Sequence, residues 1–333
     1  MQKKVKKVIE KLIRSGQRDF IIFPYGKYGK WTEQCLKEQG IKPKAIVDNY
    51  LSKENSNIKS IEFLESDEAQ KCIVLFSGGR RDIYYTLRKM VYERLPKNQV
   101  EDLFGKYIVG EVSFKKKIYH MIRSPKSRES FLISKINNRS TTKLLDVGCG
   151  NSSVLNIKRF CDKVYYIGID VGDYNQTEES LMCMDEYIIV PPSNFAEKMG
   201  EFDDLDVIIS NHNLEHCDEP VKVLQNMTKA LKKNGLLYLA FPSEVSATFL
   251  GGREGCLNFY DDCTHQHLPE YEKVIATLQE NGMEIKYKTK SYRPFIMRMI
   301  GKRNEEKSRE MQKVLEGTWE YYGFESIIWA RKN

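Results

Sequence analysis

The stretch Leu144-Leu145-Asp146-Val147-Gly148-Cys149-Gly150-Asn151-Ser152-Ser153 decides how the chain is read. Its first half is an apolar run of the kind buried parallel strands use, and its second half sets two glycines one residue apart before a helical pattern. Glycine there lets backbone approach a ligand closely, and the helix that follows offers free N–H groups at its start. The next apolar run, YYIGID (165–170), ends in Asp170, 22 residues beyond Gly148. An acid at the end of that strand can accept hydrogen bonds from ribose hydroxyls, so the glycine pair and the acid together point to an adenosine-type ligand. A dinucleotide would prefer a third glycine for close helix packing, and Ser153 stands in that place.

Outward from this loop, strand and helix patterns alternate. YIIVPP (187–192), DVIIS (206–210), the helix PVKVLQNMTKALKKNG (220–235) and the strand LLYLAF (236–241) follow, then the helix PEYEKVIATLQENG (269–282) and the strand MEIKYKTK (283–290). A helical insert and a last strand, GFESIIWARK (323–332), end the chain. Upstream, DFIIF (19–23) runs into the glycine turn PYGKYGKW and a helix closed by Gly40. AIVDN (45–49) contains Asp48, and CIVLFS (72–77) meets Gly78 and Gly79 before another helix. Such alternation predicts an α/β protein with parallel sheets covered by helices. The 333 residues are about twice the roughly 100–200 of a typical domain, which predicts two domains.

The formal charge of +7 is unevenly placed. Residues 1–113 hold 22 basic and 15 acidic side chains, and 114–143 hold 9 and 1. Residues 144–290 hold 13 and 24, and 291–333 hold 9 and 6. The glycine loop therefore lies in the acidic part, and the basic excess in the front half and a connector. The expected division is a small module at 1–113, a basic helical connector at 114–142 and a main domain at 143–333. No apolar run approaches the ~20 residues that span a bilayer, and the start, MQKKVKKVIEKLIRSG, has no signal-peptide apolar core. The eight cysteines are scattered without a CxxC pair, which predicts reduced thiols and a cytoplasmic location.

LLDVGCGNSS, YIGID, DVIISNHNLEH and LKKNGLLYLAFPS resemble successive motifs of the class I S-adenosyl-L-methionine-dependent methyltransferases, over about residues 130–333. The resemblance implies a seven-stranded Rossmann-like sheet whose last strand inserts antiparallel between its neighbours. It implies that Gly148 and Gly150 cradle the methionine end of the cofactor, with Asp146 in the same loop, and that Asp170 holds the ribose. Asn194 and Phe195, in PPSNF, fall where the family contacts adenine, and Asn211 would face the methyl group. In the alternative, Phe195 is a core aromatic and Asn211 a turn residue. Residues 1–113 are similar to small Rossmann-like α/β modules attached to bacterial enzymes of surface-polysaccharide pathways. That likeness implies either a nucleotide or phosphate site near Gly26, Lys27, Gly29 and Asp48, or a docking or dimerisation domain.

Four of the five histidines fall in two clusters, NHNLEH (His212, His216) and YDDCTHQH (His265, His267). Methyl transfer to a hydroxyl needs a positioned acceptor and a base for its proton, and histidine is the natural base near neutrality. His265 or His267 is the expected base with Asp261 or Asp262 orienting it, and His216 is the second candidate. No metal is expected. The i,i+4 pair His212/His216 with nearby acids and cysteines is the alternative. The expected function is O-methylation of a small-molecule acceptor, a sugar or nucleotide-linked sugar of bacterial surface polysaccharide. An RNA or DNA methyltransferase, suggested by the basic connector, and a non-catalytic scaffold are the alternatives. Against nucleic acid, no NPPY-type clamp or Pro-Cys nucleophile is present. The chain can form a homo-oligomer on this reading.

Overall fold

A computed structural model describes residues 2–105, 110, 112–136, 141–161, 163–174, 176–249, 251 and 258–333. The chain divides into two compact units, Met1–Glu111 and Val112–Asn333.

In the first unit, α1 (Gln2–Arg14) precedes β1 (Phe20–Phe23), α2 (Lys27–Lys37), β2 (Ala45–Ile46), β3 (Ile73–Phe76), α3 (Arg81–Tyr92) and β4 (Val100–Asp102). The strands pair in parallel in the order β2-β1-β3-β4. Every residue of β1 is buried, which is why DFIIF reads as an unbroken apolar run. Val5 and Ile9 of α1 and Leu36 of α2 close the core over Phe20, Ile22 and Leu75. Gly29 marks a close approach, because a Cβ there would lie 2.3 Å from the Pro24 carbonyl oxygen. Asp48 is occupied by the fold: Oδ2 accepts from the Tyr25 N–H at 3.0 Å and Oδ1 from the Tyr50 and Leu51 N–H groups at 3.0 and 3.1 Å. Gly26 and Lys27 are exposed at the start of α2.

The second unit opens with α4 (Phe114–Arg123) and α5 (Arg128–Lys135). The segment read as a connector thus contributes two helices to this unit. Phe131 of α5 packs on Tyr238 and Trp329 with ring centroids 5.4 and 5.3 Å away. There follow β5 (Thr142–Val147), α6 (Ser153–Phe160), β6 (Val164–Asp170), α7 (Glu178–Cys183), β7 (Glu186–Ile189), α8 (Pro192–Met199), β8 (Leu205–Asn211) and α9 (Pro220–Ala230). Last come β9 (Leu231–Pro242), α10 (Tyr271–Glu280), β10 (Met283–Thr289), α11 (Phe295–Met311), α12 (Thr318–Tyr322) and β11 (Glu325–Lys332).

The seven strands lie in the order β10-β11-β9-β8-β5-β6-β7. The last strand, β11, runs antiparallel between β10 and β9, and the rest of the sheet pairs in parallel. Leu145, Val147, Ile167, Ile208, Leu237 and Ile328 are among the sheet residues of the core. Two boundaries differ from the sequence reading. Helix α9 stops at Ala230 and β9 begins at Leu231, where an irregularity between Leu205 and Val207 absorbs the extra residues and Asn234 turns at φ +64°. The run YIIVPP ends early as a strand: β7 stops at Ile189, and Pro192 opens α8, as a proline suits the first helical turn. No helix among the described residues is long and apolar enough to cross a membrane.

Candidate functional site

A cavity of about 580 Å³ opens among the segments that follow β5, β6, β7, β8 and β9. That volume is within the roughly 300–1,000 Å³ that small-molecule and cofactor sites occupy. Parallel α/β sheets place their ligand crevices at the carboxyl ends of the strands, so the topology itself selects this location.

The glycine pair forms one wall. Gly148 has φ +68° and Gly150 φ +47°, conformations that side chains with a Cβ resist. A Cβ on Gly148 would lie 2.4 Å from Asn213 Oδ1, whereas one on Gly150 would meet nothing within 4 Å. The loop is tied to β6 by the Gly148 and Cys149 N–H groups, which donate to the Ile169 carbonyl at 2.9 and 3.3 Å. Asp170 is 5% exposed, with Oδ2 accepting from the Gly150 N–H and Oδ1 from the Val171 N–H, both at 2.7 Å. Burial pushes its carboxyl above the usual range, against those two N–H donors. An open wall at Gly150 beside a fixed carboxylate fits a ribose-bearing cofactor, with Asp170 to receive hydroxyl protons.

Asp146 lies beneath the loop, outside the cavity lining. Its Oδ2 accepts from Ser153 Oγ at 2.6 Å and from the Tyr166 hydroxyl at 2.7 Å, and Arg128 Nη1 donates to Ser153 Oγ at 3.2 Å. Asp146 is therefore proposed as a support of the loop, in place of the direct cofactor contact expected. Arg128, proposed as a second support of the loop, is a contact the sequence reading missed. It sits on α5, before the motif begins, and only the fold brings it to the glycine loop.

Phe195 and Ala196 line the cavity, but Asn194 faces solvent and accepts from Ser193 Oγ, because each helical residue turns about 100° from the last. Asn211 ends β8 outside the lining. The chain then turns at His212, with φ +53°, and brings His212 and Asn213 to the cavity instead. His267 lines a neighbouring pocket with Leu214, Leu224 and Val274 and is not brought to the glycine loop. Residues 252–257, Cys256 among them, lie outside the described residues.

His216, Asp262 and Thr264 do meet at the cavity. Thr264 Oγ1 donates to Asp262 Oδ1 at 2.6 Å, and His216 Nδ1 lies 3.0 Å from Thr264 Oγ1 and 3.2 Å from the Thr264 carbonyl. With the threonine proton given to Asp262, Nδ1–H of His216 donates to Thr264 and Nε2 keeps its lone pair. Burial opposes the charge on Asp262, but the Thr264 hydroxyl and N–H outweigh it and hold the carboxyl below its ordinary value. His265 stands behind His216, with ring centroids 4.8 Å apart. It is stacked on Phe259 at 4.3 Å, and its Nδ1 faces the Phe259 carbonyl at 2.5 Å. Asp261 closes a capping box with Asn258.

His212 cannot pair with His216 as a ligand, because both of its nitrogens are engaged. Nδ1 meets Glu215 Oε1 at 3.1 Å and Nε2 meets Glu325 Oε1 at 3.0 Å. Burial works against its charge, but the two carboxylates outweigh burial and push its pKa up from 6.5 to about 10. The ring is thus a standing cation at neutral pH and no base. A raised folded-state pKa contributes stability that is complete below about pH 6.5 and lost as pH rises through about 10. The variant His212→Gln is expected to flatten the decline in unfolding free energy across that interval, measured by denaturant titration at stepped pH.

Among the described residues, the side chains grouped closely enough to hold a metal are those of Glu215, His216 and His265, whose candidate ligand atoms lie within 4.8 Å of one another. Glu215 Oε2 is buried without a hydrogen-bond partner among the described residues.

The profile of the family described as "Methyltransferase domain" matches residues 118–286, and the chain belongs to that family. The second unit is a class I S-adenosylmethionine-dependent methyltransferase domain. Among curated proteins, it is similar to "Ubiquinone biosynthesis O-methyltransferase" of Histophilus somni (strain 2336), 26% identical over 168 residues, which cover 45% of this chain and 65% of that one. The protein of the same description from Pasteurella multocida (strain Pm70) is 25% identical over 169 residues, 44% of this chain and 65% of that one. The chain thus spans 65% of the length of these relatives. Among solved structures, the cyclopropane synthase MmaA2 of Mycobacterium tuberculosis is 15% identical with a TM-score of 0.42, over 62% of this chain and 85% of that one.

Proposed function

We propose that the protein transfers the methyl group of S-adenosylmethionine to a hydroxyl of a sugar or nucleotide-linked sugar, in the synthesis of a bacterial surface polysaccharide. The observation that carries a hydroxyl acceptor is the chain Asp262–Thr264–His216, which leaves His216 Nε2 as an acceptor of protons at a cavity shared with Gly148, Gly150 and Asp170. When bound, S-adenosylmethionine supplies an electrophilic methyl carbon on a sulfonium. His216 would take the acceptor's hydroxyl proton, Thr264 would hold the imidazole in one tautomer, and Asp262 would steady the positive charge that develops on the ring. His265, close behind, is proposed as a positioning residue. Gly148 and Gly150 leave room for the cofactor, and Asp170 holds its ribose.

The two curated relatives are described as ubiquinone biosynthesis O-methyltransferases, which supports oxygen as the acceptor atom. A sugar hydroxyl is a much weaker acid than a phenol, whose pKa is about 10, and so benefits more from a positioned base. The polar rim of Asp262, Thr264 and Gln266 suits a polyhydroxylated acceptor. Nucleotide-linked sugars and a phenolic acceptor should be offered side by side, with release of S-adenosylhomocysteine and the mass gain of the acceptor followed by mass spectrometry. Methylation is expected on a sugar hydroxyl; methylation of the phenol alone would overturn the sugar assignment while leaving O-methylation standing.

A further inference from the structure

Helix α4 has no buried residue. Yet Phe114, Ile118 and Ile122, spaced four apart, are 75%, 36% and 63% exposed, and Tyr119 beside them is 55% exposed. Residues at that spacing share one face of a helix, and such a stripe ordinarily lies against a core. Here the helix is held from its other side. Lys117 Nζ donates to the Phe160 carbonyl at 2.7 Å, the His120 ring meets Phe160 edge-on at 5.2 Å, and Arg123 reaches Met297 and Glu316. The remaining charges of α4, Lys115 and Lys116, are exposed, and the helix contains no acid.

Its neighbour α11 begins in the same way. Phe295 and Met299 are 71% and 41% exposed, and Arg298, Lys302 and Arg303 are exposed around them with no acid before Glu305. The two helices are in contact, so the apolar and basic residues of both belong to one region of this unit.

We propose that α4 and the start of α11 form a docking surface for an anionic phospholipid bilayer. A basic helix with exposed aromatic and aliphatic side chains lies in the headgroup layer, apolar residues toward the acyl chains and cations on the phosphates. Two other occupants are disfavoured by charge. The N-terminal residues 1–113 carry 22 basic against 15 acidic side chains, and a second copy docking through these same two helices would bring its own basic residues, so each would set like charges against this face. Nucleic acid matches the charge but leaves Ile118, Ile122 and Phe295 without an apolar partner.

The test uses the full chain and sedimented vesicles. Vesicles of phosphatidylglycerol and phosphatidylcholine in equal parts are expected to carry the protein into the pellet, and phosphatidylcholine alone is not. Rising salt should release it. The double variant Ile118→Glu with Ile122→Glu, both exposed positions, is expected to lower the partition coefficient about ten-fold or more while S-adenosylhomocysteine binding is unchanged. Lys115→Glu with Lys116→Glu should act in the same direction and remove much of the salt dependence. If the variants prove unstable, the lipid and salt series on the wild-type chain still decides. A wild-type chain that stays in the supernatant overturns the proposal, as do variants that pellet equally. So does a dimer in solution that the same variants dissociate, or an RNA complex that they abolish.

Discussion

Gly148→Arg is expected to abolish binding of S-adenosylhomocysteine in a calorimetric titration. The position is at φ +68°, where a residue with a Cβ is strained by roughly 1–2 kcal/mol. The first atom of any side chain would also fall 2.4 Å from Asn213 Oδ1, so the loop after β8 must move before the rest of the arginine is placed. A milder pair separates loop damage from ligand exclusion. Gly148→Ala suffers both strain and collision. Gly150→Ala suffers strain alone, because its Cβ would point into open space, and it should keep the fold while reducing affinity. Asp170→Ala removes charge-assisted hydrogen bonds worth about 1.5–3 kcal/mol each, or roughly ten-fold to over a hundred-fold in affinity per bond. Undiminished binding in Gly148→Arg would mean that the cofactor sits elsewhere.

The second large effect is on turnover. His216→Ala should lower kcat by about 10²–10⁴-fold, the usual contribution of a positioned general base, with cofactor affinity unchanged. Thr264→Val breaks the link to Asp262 without touching the imidazole, so it should cost less than His216→Ala. His265→Ala should also cost less, since that ring stands behind the one at the cavity. Full activity in His216→Ala would sink the assignment of the base.

The parallel sheet was legible because its central strands are buried on both faces, so β5, β6 and β8 read as apolar runs that turns interrupt. The glycine pair and Asp170 were legible for the same local reason: each sits at the end of such a run. What escaped depends on contacts distant in sequence. Thr264 joins His216 across 48 residues, and His212 meets Glu325 across 113. Neither spacing leaves a mark in a local window. The strand β4, Val-Glu-Asp, escaped because its three residues are only half-buried and mostly charged, so no hydrophobic pattern announces it. Asn194 and Asn211 were misplaced by one or two residues, which on a helix or at a strand end is enough to turn a side chain away from a cavity.

The bond between His212 and Glu325 also sets an order on assembly. Strands β5 to β9 come off the ribosome before β11 exists, and they pair largely with one another. Glu325 is the first residue of β11, the strand that completes the sheet. The turn that brings His212 and Asn213 to the cavity is therefore pinned only after β11 has been made. A chain shortened before Glu325 would keep its glycine loop and still lack half of the clamp on the turn beside it. The wall of the cavity at His212 and Asn213 thus depends on a strand that lies 113 residues further along the chain.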